Sequence, residues 1–137
     1  MGSELAWAVQ RGEAGRARIV GVFDEDVPRR TELAKGLAGS GAPAPFEAET
    51  VSDLVKIPGL DLVAECASQA AVTAHAETVL GAGKSMLVMS SGALVSPDFM
   101  QAVSAASEAT GATIYVPSGA VGGIDTLRAS KALLEEV

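Results

Sequence analysis

The chain has 137 residues, and the 48% that are hydrophobic include few aromatic ones, which predicts one globular domain with a core of small and branched side chains. The formal net charge of −7 argues against nucleic acid or an anionic membrane surface as a partner, because both need a positive face. A single cysteine, Cys66, excludes an internal disulfide or a multi-cysteine metal site, and the apolar runs are too short for a bilayer, so we expect a cytoplasmic protein without a metal.

In the N-terminal half, an apolar stripe over 3–10 predicts a helix, and branched residues over 18–23 predict a strand that ends on an acidic run. Pro28 suits a first helical turn, and apolar spacing predicts a helix over 29–38. A loop, a short strand that begins at Phe46 and a brief helix over 52–55 complete this half.

The C-terminal half alternates strands and helices more clearly. It contains strands over 61–65, 85–89 and 113–116, helices over 69–80 and 97–110, a small turn over 90–92, a glycine-rich turn over 117–123 and a last helix over 124–137. In the helix over 69–80, the inner face is predicted to hold Val72, Ala76, Val79 and Leu80. The alternation predicts an α/β fold of Rossmann-like, doubly wound type, with a mostly parallel sheet and helices on both faces.

In sheets of this kind, ligands bind beyond the carboxyl ends of the strands. Asp24 follows the first predicted strand, where a carboxylate accepts hydrogen bonds from ribose hydroxyls and repels the extra phosphate of NADP. The same acidic run would equally serve to cap the next helix. Arg29 and Arg30 follow closely and would tolerate a 2′-phosphate, so the cofactor class from this position is NAD or NADP.

Two further strand ends carry small residues, at 66–68 and 90–93. Small side chains let backbone amides approach a ribose or a nicotinamide, and a following helix adds a favourable dipole. Spacing alone favours ordinary strand-to-helix turns, with Ser68 as a helix cap and Ser90 in the equivalent turn. Cys66 has no neighbouring base in the sequence, which favours a buried, unreactive cysteine.

The turn over 117–123 is different, because three of the five residues from 119 to 123 are glycines and leave backbone amides exposed as donors before a helix. This density favours a binding role. His75 lies within a predicted helix, away from the strand ends, and is interpreted as a packing or solvent-facing residue. The sequence offers no Ser-His-Asp set, no carboxylate pair and no metal-ligand spacing, so we expect no catalytic residue in this chain.

The segments VAECASQAAV at 63–72 and IYVPSGAVGGIDTL at 114–127 resemble the L-aspartate dehydrogenase family, and LVMSSGAL at 87–94 is similar in kind. The resemblance runs through essentially the whole chain in the order of the family. It implies an NAD- or NADP-dependent enzyme that oxidises L-aspartate to iminoaspartate, which hydrolyses to oxaloacetate and ammonia and in some organisms feeds NAD biosynthesis.

The resemblance also implies roles for individual residues. The backbone amide of Ala120 contacts the cofactor, Ser118 and Gly119 lie beside the nicotinamide, and Asp24 takes the ribose-binding acidic position. Cys66, Ala67 and Ser68 line the ribose side of the nicotinamide, and Ser90 belongs to the matching turn.

The sequence departs from the family pattern at both ends. Gly2 falls where the third glycine of Gly-x-Gly-x-x-Gly stands in the family, so the first strand and most of the pyrophosphate cradle are expected to be missing. The family continues past the helix over 124–137 into a domain that carries the catalytic histidine. We therefore expect 1–137 to be a partial NAD(P)-binding Rossmann domain, inactive alone, of a homo-oligomeric enzyme.

Two alternatives stay open. The first is the nucleotide-binding domain of a homoserine dehydrogenase or another amino-acid dehydrogenase. The second is a non-catalytic fragment that acts as an interaction subunit. The missing central strand also predicts that the isolated chain is poorly soluble or forms oligomers, because interior strand edges would be unpaired.

Overall fold

A computed structural model of the chain describes residues 1–39 and 43–117. The helices are α1 (Gly2–Gln10), α2 (Val27–Ala38), α3 (Val51–Leu54), α4 (Gln69–Gly81) and α5 (Pro97–Thr110), with a 3-10 helix at Ser91–Val95. The strands are β1 (Gly21–Val22), β2 (Phe46–Glu47), β3 (Leu62–Glu65), β4 (Ser85–Val88) and β5 (Ile114–Tyr115). The glycine-rich turn from Ser118 onward and the helix expected over 124–137 lie outside the described residues.

Side-chain caps fix the starts of four helices. Asp26 accepts a hydrogen bond from the Arg29 N–H at the start of α2, where Pro28 occupies the first turn. Thr50, Ser68 and Ser96 cap α3, α4 and α5 in the same manner. Capping satisfies N–H groups that the first turn of a helix leaves without partners, so these helices begin where the sequence places a hydroxyl or a carboxylate.

The strands form two parallel sheets. β1 pairs with β2, and β4 lies between β3 and β5 in a three-stranded sheet. If β1 is counted as the second strand, the two sheets take the places of strands 3-2 and 4-5-6 in the doubly wound order 3-2-1-4-5-6. The place of a first strand then lies between β1 and β3, and neither of them pairs on that side with any described residue.

Two hydrophobic clusters support these sheets. The larger cluster lies under the three-stranded sheet and contains the predicted inner face of α4, whose four residues are all buried, together with Met86, Val88 and Val103. The smaller cluster contains Ala48, Leu54 and Leu60. Each fully buried Val, Leu or Met contributes about 1.5–3 kcal/mol relative to an exposed position. Phe23 and Val63 pack against both clusters, which joins the two halves.

Two predicted elements differ in extent. The strand predicted over 18–23 pairs only at Gly21 and Val22, because its described partner β2 is itself two residues long. The turn predicted over 90–92 overlaps a 3-10 helix at Ser91–Val95, which the sequence did not predict. In the described part of the chain, no helix combines the length and the apolar character needed to cross a membrane.

Candidate cofactor-binding site

Among the predicted site residues that the structure describes, those that follow β1, β3 and β4 lie at the carboxyl ends of these strands. Asp24 follows β1, residues 66–68 follow β3, and Ser90 follows β4. The parallel register pairs Glu65 with Val88, so the ends of β3 and β4 lie side by side. The chain leaves β5 at the same edge, and Ser118, Gly119 and Ala120 come next in sequence but lie outside the described residues.

Glu65 joins the turns after β3 and β4. Its Oε1 accepts hydrogen bonds from the Ala67 N–H at 2.7 Å and from the Ser90 hydroxyl at 2.9 Å. Its Oε2 accepts the Ser90 N–H at 3.0 Å. Its side chain is also the one polar or charged side chain that is buried among the described residues, with an exposed fraction of 7%. Glu65 was not among the predicted site residues, although a glutamate at the end of an apolar strand is the signal that would have found it.

A second contact links the same two turns. A side-chain carbon placed on Gly92 would overlap the amide group of Gln69, the first residue of α4. Glycine at position 92 therefore allows the Gln69 side chain to lie over the turn that follows β4.

Gly2 and Cys66 lie against each other. A carbon added to Gly2 would approach the Cys66 Cβ to 3.3 Å, a tight contact, so the absence of a side chain lets the start of α1 approach the turn after β3. Cys66 is half-buried. Burial and, secondarily, the Glu65 carboxylate raise the pKa of the Cys66 thiol, which keeps the thiol protonated at neutral pH. The expected burial is therefore only partial, while the direction of the pKa agrees with an unreactive thiol.

Asp24 combines a local turn with exposure to solvent. Its Oδ1 accepts the Asp26 N–H at 2.9 Å, and the residue is exposed. The Arg30 side chain, 10% exposed, donates to the Asp24 carbonyl at 3.5 Å and lies 3.9 Å from Glu47. Arg29, by contrast, is largely exposed and forms an ion pair with Asp26 at 3.1 Å. The capping role of this acidic run therefore falls to Asp26, which leaves the Asp24 carboxylate accessible.

The remaining predicted residues are placed as follows. Ser68 caps α4 by accepting the Ala71 N–H at 3.1 Å, so its structural role is present. Ala67 and Ser68 are exposed at this edge, where a ligand can reach them. His75 packs edge-to-face on Phe23 with ring centroids 6.0 Å apart, as expected for a packing histidine.

An open cavity of about 310 Å³ lies at the opposite edge, near the residues that precede β1, β2 and β3. It is lined by Gln10, Arg18, Ile19, Val20, Pro43, Ala44, Ile57 and Pro58. It borders none of the strand-end residues, and ligands of parallel sheets bind at the other edge, so the cavity is not the candidate site. Within residues 1–39 and 43–117, no group of three or more His, Cys, Asp or Glu side chains is placed to hold a metal ion.

The carboxyl edge fits a dinucleotide. It offers the accessible Asp24 carboxylate for a ribose, the start of a nine-residue helix at Gly2 whose dipole favours a phosphate, and the small residues of the turns after β3 and β4. Parallel sheets with this edge define the class of Rossmann-type dinucleotide-binding domains.

The chain belongs, more particularly, to the family described as homoserine dehydrogenase, NAD binding domain, whose sequence profile matches residues 1–117. The expected cofactor class, NAD or NADP, agrees with that family.

Curated relatives carry the name L-aspartate dehydrogenase. The protein from Methanocella arvoryzae is 30% identical over 130 residues, which cover 95% of this chain and 45% of that protein. L-Aspartate dehydrogenase 2 from Bordetella pertussis is 44% identical over 90 residues, covering 62% of this chain and 34% of the relative. The Archaeoglobus fulgidus protein is 40% identical over 78 residues, covering 57% and 33%. The chain thus spans less than half the length of these relatives.

A solved structure confirms the fold. The aspartate dehydrogenase of Thermotoga maritima matches with a TM-score of 0.57 and 22% sequence identity, over 88% of this chain and 45% of that chain. The expected Rossmann-like α/β class with parallel strands is therefore correct.

Proposed function

We propose that the chain is the NAD(P)-binding domain of an L-aspartate dehydrogenase, which oxidises L-aspartate to iminoaspartate that then hydrolyses to oxaloacetate and ammonia. The observation that carries the proposal is sequence similarity of 30–44% identity to several proteins of that name, one of them aligned over 95% of this chain. Residues 1–137 form the nucleotide-binding part, and the segment 124–137 leads into a catalytic domain.

Within this proposal, the residues of the carboxyl edge hold the cofactor. Asp24 binds the adenosine ribose, and the start of α1 at Gly2 faces the phosphates. The turn after β3 (Cys66, Ala67 and Ser68) and Ser90 after β4 line the nicotinamide side, together with Ser118, Gly119 and the backbone amide of Ala120. The bound nicotinamide supplies a hydride acceptor for the α-carbon of the amino acid.

The proposal places no acid–base residue in this chain. His75 packs on Phe23 within the fold, which supports a structural role. The catalytic histidine is assigned by family resemblance to a second domain. The complete enzyme is a cytoplasmic homo-oligomer that uses NAD or NADP and contributes to NAD biosynthesis.

The test compares L-aspartate and homoserine as substrates of the full-length product of the gene and measures NADH or NADPH formation. We expect L-aspartate to support NADH or NADPH formation, and homoserine to give no more than the background rate. Activity with homoserine and none with aspartate would overturn the proposal.

A homoserine dehydrogenase is the second candidate, favoured by the description of the family that matches residues 1–117. The two candidates share the cofactor edge and differ in the substrate, so the same assay separates them. Saturable NADH binding with no turnover of either amino acid would favour another amino-acid dehydrogenase, and no NADH binding would favour a non-catalytic interaction subunit.

A further inference from the structure

A buried carboxylate needs compensation, because removing a charge from water costs several kcal/mol unless hydrogen bonds replace the lost hydration. Glu65, at 7% exposed, has that compensation in three donors: the Ala67 N–H, the Ser90 N–H and the Ser90 hydroxyl. None of these donors belongs to a basic side chain. The carboxylate is therefore held by the loops themselves.

The donors lie on two different loops. Ala67 belongs to the turn after β3, whereas Ser90 belongs to the turn after β4, 25 residues further along the chain. The Met89 N–H also bonds the Glu65 carbonyl at 3.2 Å, so the end of β4 is attached to Glu65 through backbone and side chain together. Glu65 thus ties the two turns to each other by side-chain and backbone hydrogen bonds.

The pattern requires two acceptor oxygens at the end of the side chain. Both oxygens of Glu65 face N–H groups, Oε1 that of Ala67 and Oε2 that of Ser90. A glutamine has one acceptor and one donor at the end of its side chain. Whichever way its amide is turned, its NH₂ group would meet one of these two N–H groups, and one turn would have to move.

We propose that Glu65 is a positioning residue that holds the turns after β3 and β4 at the separation needed to bind a nicotinamide dinucleotide. The inference rests on the proposed function of this edge as a cofactor site. Glu65 does not touch the cofactor in this account. It acts through the backbone of Ala67 and through Ser90, so that the dinucleotide meets two loops that are already in place.

Glu65→Gln tests the inference in the full-length gene product, with NADH as the probe. We expect the Kd for NADH to rise about tenfold, which is the effect of one displaced charge-assisted hydrogen bond. In steady state, the KM for the oxidised cofactor should rise while kcat is retained. A purely structural role would lower the thermal midpoint and leave the Kd unchanged at temperatures where both proteins are folded.

Ser90→Ala adds a double-mutant cycle. It removes only the hydroxyl donor, and we expect a smaller rise of the Kd that largely disappears in the Glu65→Gln background, because Ser90 acts through Glu65. Additive effects would mean that Ser90 binds the cofactor by itself and would overturn the coupling. Glu77→Gln, an exposed glutamate on α4, is the matched control and should leave the Kd unchanged.

The possible results separate the positioning role of Glu65 from the cofactor site and from the substrate. An unchanged Kd in Glu65→Gln overturns the proposal; if that variant does not fold, an unchanged Kd in Ser90→Ala does so. Absence of saturable NADH binding in the unaltered protein would overturn both the positioning role and the cofactor site. A protein that binds NADH and loses affinity with Glu65→Gln, yet does not oxidise aspartate, would keep this inference and refute only the proposed substrate.

Discussion

The Cys66 thiol lies in the turn after β3, at the candidate cofactor site, but its surroundings oppose a role as a nucleophile. Burial first and the neighbouring Glu65 carboxylate second raise its pKa, because both disfavour the thiolate. Only the thiolate is nucleophilic. At neutral pH, we expect iodoacetamide to alkylate the folded chain more slowly than a free-thiol cysteine whose amino and carboxyl ends are blocked. The midpoint of the rate against pH should lie above the ordinary thiol pKa of about 8.5.

The control for this prediction is the same chain in denaturant, in which the thiol should regain ordinary reactivity. Fast alkylation of the folded chain at neutral pH would contradict the assignment of Cys66 as an unreactive residue.

At Asp24, a substitution can separate the effect of the negative charge from the effect of the side-chain hydrogen bond. Asp24→Asn keeps an oxygen that can accept the Asp26 N–H but removes the charge that, in the proposed ribose-binding role, repels a 2′-phosphate. If the full-length protein has the proposed activity, we expect its preference to shift toward NADP by about tenfold in the ratio of kcat/KM values, since the loss of one like-charge contact is worth roughly that much.

Glu25→Gln is the matched control, because this neighbouring acidic residue is also exposed and has no proposed role in binding a ribose. A shift of equal size in Glu25→Gln would mean that the general negative charge of the segment, and not Asp24, sets the preference.

At single residues, the sequence was informative where the chemistry is local. Ser68 is recognisable as a cap because the residue it bonds lies three positions along the chain. Glu65 was missed because its partners include Ser90, and that contact exists only once the register of β3 and β4 is known. Sequence spacing contains no information on such a register.

Among the helices, α4 carries a face of the core and begins directly after the candidate binding turn at 66–68. Ser68→Ala removes the bond to the Ala71 N–H, and we expect the free energy of unfolding to fall by about 1 kcal/mol, the usual cost of a lost N-terminal cap. Denaturant titration followed by circular dichroism measures it.

Thr73→Ala on the same helix is the control. The Thr73 hydroxyl bonds the Gln69 carbonyl within the helix, which alanine does not need, so stability should be unchanged or slightly higher. A loss equal to that of Ser68→Ala would show that any small substitution on α4 is costly and would remove the argument for the cap.

Helix bounds followed from sequence more closely than strand bounds, and the reason is physical. The helix expected over 97–110 has those bounds in the structure, since Ser96 caps it and Gly111, with a φ of 75°, ends it. A strand is defined by its neighbour: the branched residues over 18–23 form ladder pairs only at Gly21 and Val22, opposite Phe46 and Glu47. The partner of a strand lies elsewhere in the chain and is not visible in its own residues.

For the molecule as a whole, the division into two sheets predicts self-association through strand edges. β1 and β3 each have one edge without a described partner, and free edges invite association. We expect the 137-residue chain to form larger species at rising concentration in sedimentation velocity. Leu62→Lys, which puts a charge on β3 where Leu62 is 44% exposed, should reduce this association.

Val95→Lys is the comparison, because Val95 is 81% exposed but belongs to the 3-10 helix and to no strand. Equal reduction by both variants would assign the effect to net charge or general surface hydrophobicity. A chain that stays monomeric at all concentrations would contradict the association itself.

Phe23 also affects whether the two sheets unfold together or separately. Because its ring packs against both hydrophobic clusters, neither sheet can leave the other without exposing a shared aromatic side chain. We therefore expect the two sheets to open as one cooperative unit. Native-state hydrogen exchange should give the amides of β2 and β4 the same opening free energy. Phe23→Ala leaves Val63 in contact with both clusters, so we expect it to weaken the coupling and to make the protection of the two sheets unequal.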